Sequence, residues 1–231
     1  MSTVMQWIAL GACLACTGWR LPAALKRRNA SLFWMFALLS VAVGLGIDAI
    51  YLPVDALLGR VNVANLIIRL ALYAVFFILA TRVAAAYRAR RSEWLIRGPV
   101  GLTVLAGIAA ATVALFLLSD MPTSSTGLRA FAGQPTVQAY VYAGRLYPAY
   151  AAAVLIQPTA AAGRTAARAI NRMSAWLICA AFAMVVLLTL IQVAGLPFLL
   201  LVDFLSYAAI LCMAAGMALV WISFRKRSTR T

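Results

Sequence analysis

Seven apolar runs divide this chain, at residues 3–19, 31–51, 62–81, 99–118, 137–157, 173–194 and 197–223, with short polar stretches between them. A run of about 20 residues, rising 1.5 Å per residue as a helix, covers the roughly 30 Å of hydrocarbon in a bilayer. Backbone in lipid must satisfy its own N–H and C=O groups, so each run is predicted to be an α-helix. The expected fold is all-α: a polytopic seven-transmembrane-helix bundle in one domain over 1–231, with 224–231 as a basic tail. Gly195 and Pro197 predict a tight turn, and hence an antiparallel hairpin of the last two helices. The longest connection, 119–136, is rich in Ser, Thr, Gly and Pro and reads as an irregular lid or linker.

Charge fixes a frame for these helices. The connections holding Arg20 to Arg28, Arg82 to Arg97 and Arg164 to Arg172, with the tail after Ser223, carry sixteen of the twenty Lys and Arg residues. The opposite connections hold only Arg60 and Arg129. Basic loops stay in the cytoplasm, which predicts an external N-terminus and a cytoplasmic C-terminus. Trp19, Trp34, Trp94, Trp176 and Trp221 fall at the cytoplasmic ends of the runs, where an amphipathic ring prefers the interface, and only Trp7 lies towards the outside.

Composition agrees. The 231 residues are 65% hydrophobic and the mean hydropathy is +0.97, well above a soluble domain. The net charge of +15 is gathered in the connections, so it reads as topology and anionic-lipid contact, not as a nucleic-acid surface. Eighteen Arg against two Lys, with abundant Ala, suggest a GC-rich bacterial genome, and the expected location is the bacterial cytoplasmic membrane.

Two arginines and two aspartates remain inside the runs. Arg69 and Arg145 fall about 10–12 Å below the external edge at helical rise. Asp203 and Asp48 lie in the same half, and the four charges cancel. An unpaired charge near mid-membrane costs about 2.5–3.5 kcal/mol even on the lenient insertion scale. Polar residues recur beside them at helical steps: Asn62, Asn65, Arg69 and Tyr73; Gln138, Tyr142 and Arg145; Asp203, Ser206 and Tyr207. Such stripes turn away from lipid. Two readings follow, an externally open cavity for a small polar or anionic ligand, or Arg–Asp pairs that staple the helices.

Other chemistry is poorly supported. Cys13 and Cys16 form a C-x-x-C, with Cys179 and Cys212 elsewhere, all in apolar helices and best read as small apolar residues. With no His, no metal site or cofactor is expected. Both lysines, Lys26 and Lys226, lie outside the runs, which excludes a retinal Schiff base. Gly44-Leu-Gly46-Ile-Asp48 is one residue off the Gly-x-Gly-Asp of intramembrane aspartyl proteases, and nearby arginines would keep both acids ionised. No enzymatic activity is expected. The first run lacks the preceding basic residues of a cleaved signal, so it reads as a helix that stays.

The segment Asp55-Ala-Leu-Leu-Gly-Arg-Val-Asn-Val-Ala-Asn65-Leu, and Gly133-Gln-Pro-Thr-Val-Gln-Ala-Tyr140-Val-Tyr142 further on, resemble an actinobacterial family of seven-transmembrane integral membrane proteins classed as transporters, whose function is not established. The resemblance spans the bundle and implies the same fold and compartment; family members often continue into a soluble cytoplasmic region. The expectation is therefore transporter-like. The alternative is a seven-helix receptor or adaptor, in which a cytoplasmic protein partner reads the Arg-rich loops.

Overall fold

The computed structural model describes residues 3–26, 30–196 and 199–228, without the side chains of Thr3, Met5, Leu199, Leu200, Asp203, Trp221, Ile222 and residues 224–228. Expectations resting on Arg27, Arg28, Pro197 and Arg230 lie outside the described residues. Helices take 86% of the described residues, and none of these residues is in a strand.

Among the described residues nine α-helices follow one another: α1 (Thr3–Leu25), α2 (Ala30–Gly44), α3 (Asp48–Leu57), α4 (Val63–Ala86), α5 (Arg90–Arg97), α6 (Pro99–Leu117), α7 (Pro135–Thr165), α8 (Ala169–Val193) and α9 (Leu199–Ser228). A 3-10 helix, Thr126–Phe131, interrupts the long connection before α7. Among the described residues α1, α4, α6 and α8 are long and apolar enough to cross a membrane, and α2 with α3 makes a fifth if that bent pair is one span. This is a helical membrane protein. α7 is longer than any of these but carries Gln138, Arg145, Gln157 and four tyrosines, which lower its apolar content.

The run at 31–51 is not one straight helix, which corrects the sequence reading. α2 ends at Gly44 and α3 leaves at 94° to it. The turn is local: Gly46 N–H donates to the Val43 carbonyl and Ile47 N–H to the Gly44 carbonyl, both at 3.0 Å. A Cβ on Gly46 would lie 3.1 Å from the Val43 oxygen, so the bend favours a residue without one. Asp48 then starts α3, where the helix dipole favours an anion.

The chain gathers into two compact units, residues 1–79 with 104–144 and residues 80–103 with 145–231. In the first, α1 and α2 run antiparallel, with Thr17 and Ser40 hydroxyls 3.3 Å apart and Leu10 against Gly44. Leu45, Tyr51 and Ala64 join α3 to α4 in one apolar cluster. Phe116, Met121, Leu128, Val137 and Tyr140 form a second, which seats the long connection.

In the second unit α8 and α9 form the expected antiparallel hairpin after Gly195, whose φ is +66°. Ser174 Oγ donates to the Gly216 carbonyl at 2.8 Å, and Ser223 Oγ to Asn171 Oδ1 at 2.7 Å. α7 continues through Pro158, which has no N–H to offer the Val154 carbonyl four residues earlier. Ser92 of α5 fills that place, its Oγ donating to Val154 O at 3.1 Å.

Candidate functional site

The N-terminal end of α4 is built on a buried acid that the sequence reading left out of its site. Asp55, on α3, is wholly buried. Its Oδ2 accepts from Asn62 N–H at 3.0 Å and from Ser124 Oγ at 2.5 Å, and its Oδ1 accepts from Ala64 N–H at 3.1 Å. The first N–H groups of a helix have no partner within it, and here a carboxylate from the preceding helix caps them, with the helix dipole in its favour. The chain reverses between α3 and α4 through three left-handed residues, Gly59 (φ +100°), Arg60 (+61°) and Asn62 (+62°). Asn tolerates that region better than most side chains.

Asn62 is also wholly buried, and its amide is fully used. Its Oδ1 accepts from Tyr51 Oη at 2.9 Å and Ser125 N–H at 2.7 Å. Its Nδ2 donates to Thr123 O at 2.7 Å and Met121 O at 3.5 Å. Asp55 and Asn62 therefore hold residues 121–125 of the long connection onto the start of α4. Beside them Leu52, Ala56, Arg60, Pro122, Thr123 and Ser124 line an open hollow of about 420 Å³.

One helical turn along α4 begins the arginine cluster. Asn65 Oδ1 accepts from Tyr140 Oη at 2.9 Å. The Arg69 guanidinium carbon lies 5.4 Å from the Tyr140 ring centre, within cation–π range. Tyr73 Oη shares a hydrogen bond of 2.7 Å with Thr112 Oγ1 of α6 and lies 3.1 Å from the Ala143 carbonyl. Gly144 makes room for the arginine: a Cβ there would fall 2.3 Å from Arg69 Nη1 and 2.7 Å from its Cδ. Tyr140 and Tyr73 are buried and Arg69 is half-buried. Arg69 makes no ion pair among the described residues.

Of the ten residues singled out in the sequence, Asn65, Arg69 and Tyr73 thus meet in one cluster. Arg145 is half-buried in α7 and belongs to the other unit. The described geometry gives Asp48 no role as counter-charge, since it is exposed at the start of α3. Gln138 is exposed, its Nε2 donating to Ala132 O at 2.9 Å, and Tyr142 is half-buried. Ser206 donates to the Val202 carbonyl of its own helix at 2.7 Å, and Tyr207 is exposed, so those two do not form an inward polar stripe. The Asp203 side chain lies outside the described residues.

The buried face of α7 runs through Val137, Tyr140, Gly144, Tyr147, Ala151 and Leu155. The stripe read from Gln138, Tyr142 and Arg145 is rotated from it by about one residue, roughly 100°. The signals missed were Tyr140, Gly144 and the lone hydroxyl of Thr112 within an apolar run. Asp55 could have been found as an acid near the C-terminal end of α3, seven residues before an Asn. The four cysteines are free thiols, and no group of His, Cys, Asp and Glu suited to a metal occurs among the described residues. Comparison of the chain with family models, with curated proteins and with solved structures returns no match.

Proposed function

We propose that this chain is a transporter-like protein of the bacterial cytoplasmic membrane that receives a small anionic or polar solute from outside at Arg69. It crosses the membrane seven times, with the N-terminus external and the C-terminus cytoplasmic, and it has no catalytic role. The basic connections support that orientation. The resemblance to an actinobacterial family classed as transporters, whose function is not established, supports the class.

One observation carries the ligand. Arg69 sits in an apolar helix and, among the described residues, has an aromatic face and not a carboxylate as its neighbour. Asp48 is exposed, and both Asp55 oxygens are engaged by N–H and O–H donors. A staple of Arg69 to either of these two acids therefore has no support among the described residues, and the guanidinium is placed to attract an anion. Asn65, Tyr73 and Tyr140 would order its donors.

The test is thermal stabilisation of the purified protein by a panel of small anions, followed by uptake into proteoliposomes. A ligand at 100 times its Kd adds about 2.7 kcal/mol of stability. Wild type and Arg69→Lys should respond to the same anion, and Arg69→Gln should not. An anion that stabilises Arg69→Gln as well as wild type sinks the proposal.

A receptor or adaptor reading has its own support in the second unit. Buried polar side chains there are engaged with backbone: Ser92 with Val154, Ser174 with Gly216, Thr159 with Leu155. These three hydroxyls are therefore not free to line a solute path. Anion binding without uptake would favour this alternative, with a cytoplasmic protein as its reader.

A further inference from the structure

The eight residues of α5 form a short amphipathic helix between two apolar ones. One face is fixed. Ser92 and Ile96 are buried, Ser92 Oγ donates to Val154 O at 3.1 Å, and Tyr150 Oη donates to Leu95 O at 2.6 Å. Gly101 lets α6 start directly against it: a Cβ at Gly101 would lie 2.2 Å from the Leu95 oxygen and 2.3 Å from that of Ile96. Nothing so rigid is needed merely to join two helices.

The opposite face is open and chemically distinct. Arg90, Glu93, Trp94, Arg97 and Gly98 line an open hollow of about 560 Å³. Their spacing of three, four and seven places them along one helix face. Trp94 is 53% exposed, and its indole edge lies against Gly98, where a Cβ would be 3.2 Å from Cδ1 and Nε1. Glu93 Oε1 lies 3.5 Å from Arg97 Nη1, an exposed pair on the same helix face. The hollow keeps a net charge of +1. Two guanidiniums flanking an exposed indole match a lipid at the boundary, with its phosphate between the arginines and its glycerol and upper acyl chain along the ring.

We infer that α5 is a headgroup site for an anionic phospholipid with a single phosphodiester, in which Arg90 and Arg97 hold the phosphate and Trp94 packs on the glycerol end. This goes further than general attraction of basic loops to the leaflet, because it singles out one pair among many arginines. It rests on the membrane orientation proposed above, which puts α5 at the cytoplasmic surface.

The full chain in detergent is titrated with short-chain phosphatidylglycerol, short-chain phosphatidylcholine or inorganic phosphate, and thermal stabilisation is read. Phosphatidylglycerol should protect the wild type at concentrations at least tenfold lower than either of the others. Arg90→Gln/Arg97→Gln should lose that preference about tenfold. Arg164→Gln/Arg168→Gln, an equal loss of charge at two exposed arginines elsewhere, should change it less than twofold. Equal losses in the two double variants, or protection by inorganic phosphate at matched concentration, overturn the headgroup site. Arg91→Cys in a chain with its four cysteines replaced by Ala is then labelled with an impermeant thiol reagent in oriented vesicles. Labelling from the outer face would refute the orientation, while an intact lipid preference in the same chain would still uphold the site.

Discussion

Replacing Asp55 is the sharpest test of how the first unit is held together. Asp55→Ala removes the acceptor for two backbone N–H groups, those of Asn62 and Ala64, and for the Ser124 hydroxyl, at a fully buried position. Each buried donor left without a partner costs about 1–3 kcal/mol. Loss of a helix cap alone costs about 1 kcal/mol. Releasing the carboxylate from burial gives part of this back. We expect a net loss of about 3–5 kcal/mol, in the range seen when one member of a buried charged network is removed. Asp55→Asn keeps one acceptor and should lose about 1–2 kcal/mol.

The loss should also be local before it is global, because Ser124 and Asn62 anchor the long connection. Arg129 is the only tryptic site between 119 and 136, and its neighbour Leu128 is 1% exposed within the 3-10 turn. When opening is fast relative to cleavage, the nicking rate follows the population of the opened form. A destabilisation of about 3 kcal/mol corresponds to a rise of roughly a hundredfold. The assay is trypsin nicking after Arg129, with melting in detergent as a second readout and the exposed Asp48→Ala as control. Nicking of Asp55→Ala at the wild-type rate, with an unchanged melting temperature, would refute the capping argument.

Three further substitutions follow from the same packing. Gly144→Ala should push Arg69 off Tyr140 and cost about 1–3 kcal/mol, with Arg69→Ala in the same chain recovering most of the loss in a melting assay. Gly216→Ala should cost a similar amount, because its Cβ would sit 2.7 Å from Ile178 Cγ1; combined with Ile178→Ala, which removes that carbon, the loss should be smaller than the two single losses added. Ser92→Ala leaves the Val154 carbonyl without a donor and should cost about 1–2 kcal/mol, whereas in a Pro158→Ala background, where residue 158 regains its N–H, the same change should cost less than half as much.

The apolar pattern located the starts of α1, α2, α4, α6, α7, α8 and α9 to within about four residues, because lipid leaves a spanning backbone no alternative to intrahelical hydrogen bonds. It ended α1 and α7 well short of Leu25 and Thr165, and it did not show α5. It missed the break at Leu45–Ile47, since apolarity continues across the bend and only Gly44, Gly46 and Asp48 mark it. On α4 the stripe of Asn65, Arg69 and Tyr73 was legible from spacing alone. On α7 polarity misled: a tyrosine buries its ring and offers its hydroxyl inward, so Tyr140 belongs to the core although Gln138 and Arg145 look more functional. Asp55 escaped notice because it sits at the end of an apolar run, where an acid is usually solvated. Its burial depends on Ser124, almost seventy positions away, and on a left-handed turn that composition does not reveal.

The two polar assemblies of the first unit have opposite energetic logic, and this separates structure from function. Around Asp55 and Asn62 each side-chain acceptor meets a donor, so removing a member should always destabilise. Arg69 brings five N–H donors and a full charge to a site whose described neighbours supply an aromatic face and no carboxylate. Its desolvation is therefore only partly offset, and Arg69→Leu should melt higher than wild type, by about 1–3 kcal/mol on the insertion scale. The same variant should lose its response to anions. A group that lowers stability in the resting protein while creating a site for charge fits a ligand-binding residue, and a fall in stability for Arg69→Leu would place it instead with Asp55 among the structural ties.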